Sequence, residues 1–316
     1  MNRQIALVLL AAAPLMAADA LSMTPPVLGY SFDESAQAIR LIAGIPGASS
    51  LGAAEIPGLQ TAWVNSSRKV AIAITKDAHI AVASWGGAPQ VTLLDTSLIT
   101  ARQVAFSASG AQAVLSDGDA AEVWTNLDTT PVKAGRIHPD AGIAAIAINH
   151  EGVVAVATPS GLILQFVKSD AGNDNGYTAQ PVATGGNWTA LAFVSDSDEI
   201  IAAEGDRGEL VRLTSAGGRS AVAAVGSGVT AIAVAAEGNQ IAVASSHAVA
   251  VVRENGDVIS VACKCEPRGF EALQGNLVLR IVEAGGTIRI LDADAAEPRV
   301  ITMSNISEVA AGGSAQ

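Results

Sequence analysis

Residues 141–166, AGIAAIAINHEGVVAVATPSGLILQF, contain three short apolar runs separated by two polar turns. The runs at 143–148, 153–157 and 162–166 are about as long as β-strands and too short for helices. Each turn includes a glycine, Gly152 in the first and Gly161 in the second, as is typical of tight connections between strands. This stretch therefore predicts a meander of antiparallel strands.

The same pattern recurs along the chain at a nearly constant spacing. When the turn after the first strand of each unit is used as the marker, successive units are 37 to 45 residues apart. The markers are Arg68, Gly110, Gly152, Ser197, Gly238 and Gly275. This is the period of four-stranded propeller blades and is too long for leucine-rich repeats. We therefore predict six complete units over 60–303, whose inner strands lie near 60–64, 102–107, 142–148, 188–194, 229–235 and 269–273.

The two ends of the chain indicate how these units close into a ring. In the hairpin predicted at 27–43, Asp33 precedes Arg40 by seven residues, and Asp292 precedes Arg299 by the same distance, so the hairpin matches the third and fourth strands of a blade. Residues 44–59, rich in Gly, Pro and small side chains, are predicted to be a connection. Sharing one blade between the chain ends removes an exposed sheet edge.

We therefore expect an all-β fold, a seven-bladed β-propeller with one blade shared by the chain ends and completed by residues 304–316. Six blades plus a capping hairpin is the alternative. Half of the chain is hydrophobic but only 3% is aromatic, and small apolar side chains suit sheets that are buried on both faces.

The repeats resemble those of the bacterial YVTN-type and WD-repeat-like β-propellers, over about 27–303. The segment 153–166, VVAVATPSGLILQF, is similar to the YVTN unit of strand, turn and strand. WD repeats end their third strand in Trp-Asp, whereas the equivalent positions here include Trp85-Gly86 and Trp124-Thr125. The resemblance implies a binding platform, since enzymes are a minority in such families.

The N-terminus, MNRQIALVLLAAAPLMAADA, predicts export. Arg3 precedes an apolar run that ends at the small residues Ala18-Asp19-Ala20, as in a secretory signal peptide. We expect a signal peptide over 1–20 and a single propeller domain over 21–316, located in the periplasm or outside the cell. A transmembrane anchor is the alternative, but the run is short and contains Pro14.

Charge limits the choice of partners. The formal net charge is −12, and no group of Lys and Arg is larger than Arg68-Lys69. Because nucleic acids and anionic membrane surfaces bind basic footprints, the sequence argues against both. Asp, Gly or Arg interrupts every later apolar run, so we expect no membrane span, and we expect a monomer.

Motifs of catalysis are missing from the sequence. It contains no Gly-x-Ser-x-Gly, no Gly-rich phosphate loop followed by Lys and no Cys-x-x-Cys, and its four histidines fall in different repeats. The segment 173–176, NDNG, lacks the ligand pattern of a calcium loop. The sequence thus favours a binding or scaffold module for a protein or small ligand without a cofactor; a lactonase-like or quinoprotein-like enzyme is the alternative.

One face of the predicted propeller collects acidic loops. The loops that join second to third strands carry Asp77, Asp117, Asp119, Glu204, Asp206, Arg207, His247 and Glu283. Carboxylates that converge with few partners repel one another, so a divalent cation or a basic protein surface would stabilise them. A solvated acidic rim is the alternative interpretation.

Cys263 and Cys265 are the only cysteines. In an exported protein we expect them to be bonded to each other, and a ring closed over so few residues should be easily reduced. Free thiols, or a bond to another chain, are the alternatives.

Overall fold

The computed structural model describes residues 25–169, 176–195 and 197–303. Within these ranges the chain forms 27 β-strands and no helix, and the strands belong to seven antiparallel sheets. The first sheet contains β1 (Val27–Asp33), β2 (Ala38–Ile45) and β3 (Ala48–Pro57).

Each of the other six sheets has four strands in sequence order. They are β4 (Leu59–Asn65), β5 (Val70–Thr75), β6 (Ile80–Ser84) and β7 (Gln90–Leu93); β8 (Gln103–Phe106), β9 (Gln112–Ser116), β10 (Ala121–Thr125) and β11 (Val132–Ile137); β12 (Ala145–Ile148), β13 (Val154–Ala157), β14 (Leu162–Lys168) and β15 (Tyr177–Thr184); β16 (Trp188–Phe193), β17 (Ile200–Glu204), β18 (Glu209–Leu213) and β19 (Arg219–Ala224); β20 (Val229–Val234), β21 (Gln240–Ser245), β22 (Ala248–Arg253) and β23 (Val258–Val261); β24 (Gly269–Ala272), β25 (Val278–Val282), β26 (Arg289–Asp292) and β27 (Arg299–Thr302).

The seven sheets are arranged as the blades of a ring. First strands of successive blades contact one another from β8 through β12, β16 and β20 to β24, and β1 and β24 both contact β4. The prediction of an all-β, seven-bladed β-propeller is confirmed. The predicted contribution of 304–316 to a shared blade lies outside the described residues, as do the predicted signal peptide and the segment 173–175.

The second strand of each blade is buried on both faces, which explains its continuous apolar sequence. All four residues of β13, VAVA, and the first four of β17, IIAA, are almost inaccessible to solvent. Alanines in these strands allow neighbouring sheets to approach closely, so a chain with few aromatic residues still fills the space between blades. The sequence pattern therefore follows directly from radial packing.

The turn after the first strand needs a positive φ angle in several blades. Gly110, Gly152 and Gly238 have φ angles of 68°, 86° and 71°, a region that glycine adopts without the steric cost that a Cβ would add. These are three of the residues that mark the repeat in the sequence.

The first blade differs from the expectation in two respects. Residues 48–57 form strand β3, so the prediction of a connection over 44–59 was wrong. The strand has no strong apolar pattern because it is the exposed outer strand of its blade, in which only Ile56 is buried.

The hairpin of β1 and β2 was predicted to form the third and fourth strands of a blade, but the structure places it one strand further in. The start of β1 contacts two loops that follow first strands: Leu28 O accepts a hydrogen bond from Gln274 N at 2.8 Å, and Tyr30 N donates one to Ser66 Oγ at 3.0 Å. β1 therefore runs in the direction of a second strand, with β2 third and β3 fourth. Among the described residues this blade has no innermost strand.

A buried ion pair lies where that innermost strand would be. Glu271 of β24 accepts a hydrogen bond from Arg280 Nη1 at 2.7 Å and another from the backbone N–H of Val64 in β4 at 3.0 Å. Both charged side chains are about 95% buried. The blades on either side of the first blade are thus joined directly at the centre of the ring.

No helix in the described part of the chain is long and apolar enough to cross a membrane.

Candidate functional site

We call the upper face the end of the ring that carries the loops joining second to third strands and the segments joining successive blades. All the charged residues predicted from the sequence belong to it. They lie between β5 and β6 (Asp77), between β9 and β10 (Asp117, Asp119), at the end of β17 and after it (Glu204, Asp206, Arg207), between β21 and β22 (His247) and after β25 (Glu283). The ring therefore distributes them over five blades.

Two of the carboxylates are buried and neutralised by arginine. Glu204 accepts a hydrogen bond from Arg219 Nη2 at 2.7 Å and lies 3.5 Å from Arg207 Nε, and Glu283 pairs with Arg289. Each carboxylate is about 95% buried. Both therefore stabilise the blade and leave little charge for a ligand.

Asp117 shapes its own loop. Its Oδ1 accepts hydrogen bonds from the backbone N–H groups of Asp119 at 3.1 Å and Ala120 at 2.9 Å. Burial alone would raise the pKa of the Asp117 carboxyl, but hydrogen bonds from Ala120, Asp119 and Ile99 outweigh burial and lower the pKa. Asp117 thus stays ionised and orders the turn between β9 and β10.

The remaining predicted residues are open to solvent. Asp77, Asp119, Asp206, Arg207 and His247 are exposed, and Asp206 accepts a hydrogen bond from Asn187 Nδ2 at 2.8 Å. Exposed basic residues that no sequence pattern singles out, Arg102, Lys264 and Arg268, also lie on this face, in segments that join successive blades. The upper face is therefore mixed in charge, and no described group of three His, Cys, Asp or Glu could hold a metal ion.

An exposed isoleucine is the feature of the upper face that the sequence analysis missed. Ile99 lies in the segment between β7 and β8, and 91% of it is accessible to solvent. Its neighbour Leu98 is only 6% exposed. Nothing in the local sequence LDTSLITAR distinguishes the residue that points inward from the one that points outward. Only the packing against the next blade makes that distinction.

Glu122 of β10 fixes this segment. Its fully buried carboxylate accepts hydrogen bonds from Ser97 N at 3.0 Å, Ser97 Oγ at 2.7 Å and Thr96 Oγ1 at 2.8 Å. Burial alone would raise the pKa of Glu122, but the bonds from Ser97 and Thr96 and the charge of Lys133 hold it below its ordinary value of 4.5. Glu122 therefore fixes Thr96 and Ser97, which precede Leu98 and Ile99 in this segment.

The two cysteines lie in the segment between β23 and β24, also on the upper face. Cys263 and Cys265 are joined by a disulfide, with their Cα atoms 5.3 Å apart. Cys265 is buried against the apolar contact between the last two blades, and Arg268 N donates a hydrogen bond to Val282 O at 2.7 Å. The disulfide thus belongs to a segment that is packed at both ends.

The strands and loops define a seven-bladed β-propeller, and comparison with known proteins agrees on the fold. No family model and no curated protein match this sequence. A protein of unknown function from Desulfotomaculum acetoxidans matches with a TM-score of 0.66 at 14% identity, over 89% of this chain and 96% of that chain. At this identity the likeness shows the fold alone.

Two further solved structures are similar. The β-propeller domain of Cps50 (Swd1) from Myceliophteria thermophila has a TM-score of 0.58 at 9% identity, over 78% of this chain and 88% of that chain. A catalytically inactive virginiamycin B lyase from Staphylococcus aureus, solved with quinupristin, has a TM-score of 0.57 at 12% identity, over 78% and 85%. These neighbours include a protein of unknown function and a lyase, so they do not assign a function.

Proposed function

We propose that this protein is an exported binding module that holds a protein partner on its upper face, with Ile99 as the anchoring side chain. The observation that carries this proposal is the 91% exposure of Ile99 on a segment held by buried hydrogen bonds. A single exposed apolar side chain is common on protein surfaces. One that is held rigidly in solvent resembles the anchor residues that dominate binding energy at interfaces.

Rigidity favours this use of Ile99. A partner loses less binding free energy to ordering when the contact residue is already fixed. Exposed Asp119 and exposed Arg102 both flank this segment, and Arg102 approaches Gly118 of the Asp119 loop, so the apolar side chain has neighbours of both charges. The partner surface that fits would be an apolar pocket with charged groups of both signs at its rim.

Export supports the same proposal from the sequence side. The pattern of residues 1–20 and the acidic composition suit a protein of the periplasm or the extracellular space. The YVTN-type resemblance of 153–166 suits a bacterial protein of this kind. The enzymatic alternative rests on the fold of the lyase, and at 12% identity that likeness carries no activity.

Site-specific photo-crosslinking tests the proposal. A benzophenone amino acid at position 99 should give an adduct with one protein of the native compartment, whereas the same group at Val258, 38% exposed in another blade, should give none. Ile99→Asp should abolish recovery of that protein at an unchanged melting temperature. Equal adducts at both positions, or recovery that survives Ile99→Asp, would disprove the role of Ile99.

A further inference from the structure

We propose that β7, the outer strand of the second blade, is a dimerisation edge that pairs with β7 of a second copy of this chain. All four of its residues, Gln90, Val91, Thr92 and Leu93, are exposed. Val91 is 44% and Leu93 58% accessible, and both belong to the small group of exposed large hydrophobic residues in the described chain. This surface is separate from Ile99 and does not depend on the function proposed for it.

Most outer strands of this propeller carry a charge, a proline or irregular pairing within the strand, whereas β7 is short and preceded by Pro89 but carries none of these within it. Charged residues, proline or irregular pairing protect β3, β11, β15, β19 and β27, as at Lys133, Pro181, Arg219 and Arg299. Such features keep a free strand edge from recruiting another strand. β7, with the sequence QVTL, contains no charge and no proline, and its pairing with β6 is regular.

The outward backbone groups of β7 belong to Val91 and Leu93. Leu94 N donates to Ile80 O at 3.0 Å, and bonded pairs alternate along an antiparallel ladder. Thr92 therefore bonds to Val82 of β6, while the N–H and C=O groups of Val91 and Leu93 point away from the sheet. In the described chain, β6 is the only strand that pairs with β7.

These groups are self-complementary about Thr92. In an antiparallel pair centred on Thr92, Val91 of one copy lies opposite Leu93 of the other, and these two residues exchange two backbone hydrogen bonds. The twofold axis repeats this pair on the other side of Thr92, so the two copies share four hydrogen bonds. Thr92 lies opposite Thr92 of the second copy. Cross-strand pairs of threonines and of apolar residues both stabilise antiparallel strands. Because the strand carries no charge, no like charges meet across the axis.

The other uncharged outer strand, β23, is a weaker candidate and serves as a control. Arg253 N donates to Asp257 O at 3.0 Å, so the outward residues of β23 are Val258 and Ser260. A self-pair centred on Ile259 would place apolar Val258 opposite polar Ser260 of the second copy. Of these two strands, only β7 would place apolar residues opposite each other in a self-pair. This match indicates that the strand that pairs with β7 comes from a second copy of the chain.

Cysteine cross-linking tests the twofold axis directly. Residues opposite each other in a non-hydrogen-bonded pair have Cα atoms about 4.5 Å apart, within the range that a disulfide spans. Both cross-linking variants carry Cys263→Ser and Cys265→Ser, so that the introduced thiol is the only one in the chain. Under mild oxidation Thr92→Cys should form a covalent dimer much faster than Ile259→Cys, which would hold the corresponding central position if β23 paired with itself.

Sedimentation equilibrium of the full chain supplies the second measurement. The wild type should dimerise reversibly, and Thr92→Lys should raise the dissociation constant about fivefold or more because it places like charges opposite each other. Val91→Pro should do the same, since it removes an outward N–H and no bond to β6, whereas Ser260→Lys should change nothing.

The proposal would be overturned by a wild type that stays monomeric, by a dimer that is insensitive to Thr92→Lys, or by equal cross-linking at positions 92 and 259. A foreign protein bound to β7 of a chain that does not self-associate would also overturn it. A dimer would replace the monomer that the sequence leads us to expect.

Discussion

Ser66 hydrogen-bonds to both backbone groups of Tyr30. Its Oγ accepts from Tyr30 N at 3.0 Å and donates to Tyr30 O at 3.2 Å. One side chain of the second blade thereby covers the inner edge of β1, where an innermost strand would otherwise pair. Together with Gln274 and Leu28, this contact lets the first blade join the ring through its neighbours.

Removing the Ser66 hydroxyl should destabilise the ring. Ser66→Ala leaves two buried backbone groups of Tyr30 without a partner, at a cost of about 1–3 kcal/mol in the free energy of unfolding. Urea denaturation followed by circular dichroism measures this cost. Ser67→Ala is the matched control, because Ser67 bonds only to Asn65 at the exposed surface, and its midpoint should stay within error of the wild type. An equal effect of both changes would contradict the role of Ser66.

The buried pair of Glu271 and Arg280 should show strong coupling. Glu271→Ala leaves Arg280 charged and buried without its partner and removes the acceptor of Val64 N, so we expect a loss of about 3–5 kcal/mol in stability. Glu271→Leu combined with Arg280→Met should cost less than Glu271→Leu alone, because no unpaired charge remains. A double-mutant cycle by denaturant unfolding gives the coupling.

The exposed pair of Arg68 and Asp128 is the control for that cycle. Its side chains are 45% and 36% accessible, so Asp128→Asn should change stability by no more than about 0.5 kcal/mol. Additive effects at Glu271 and Arg280 would contradict the prediction.

Acid should weaken the segment that holds Ile99. The pKa of Glu122 is lower in the folded chain than its ordinary value of 4.5. The ionised carboxylate therefore stabilises the fold above about pH 4.5, and this contribution is lost as the pH falls through the lower, folded value. Glu122→Gln should be less stable than the wild type at pH 7, and the difference should shrink below pH 4.5. Melting temperatures of both proteins between pH 7 and pH 3 test this, and a difference that is constant with pH would contradict it.

The disulfide between Cys263 and Cys265 should be easy to reduce. It closes a ring over residues only two apart in the sequence, and such small rings depart from relaxed disulfide geometry. Titration with glutathione redox buffers, followed by thiol alkylation and mass spectrometry, should show reduction at a potential well above that of typical structural disulfides. Two free thiols in unreduced exported protein would show that the bond does not form in the native compartment.

The sequence alone determined the repeat. Second strands such as VAVA at 154–157 are buried on both faces, so they must be apolar throughout, and the turn at Gly152 must accommodate a positive φ angle. Both requirements are local to one blade and therefore recur with its period. They were enough to predict seven blades and to place the charged loops on one face.

The tertiary structure decided what depends on contacts between blades. β3 is an exposed outer strand with small side chains, so no apolar pattern distinguishes it from a connection. Tyr30 and Ser66 are 36 residues apart, and Glu271 and Val64 are 207 apart, so no local pattern links them. Ile99 points into solvent in a segment whose backbone is fixed by Glu122 of the next blade. The direction of a side chain in an irregular segment is set by such distant partners, and only the closed ring brings them together.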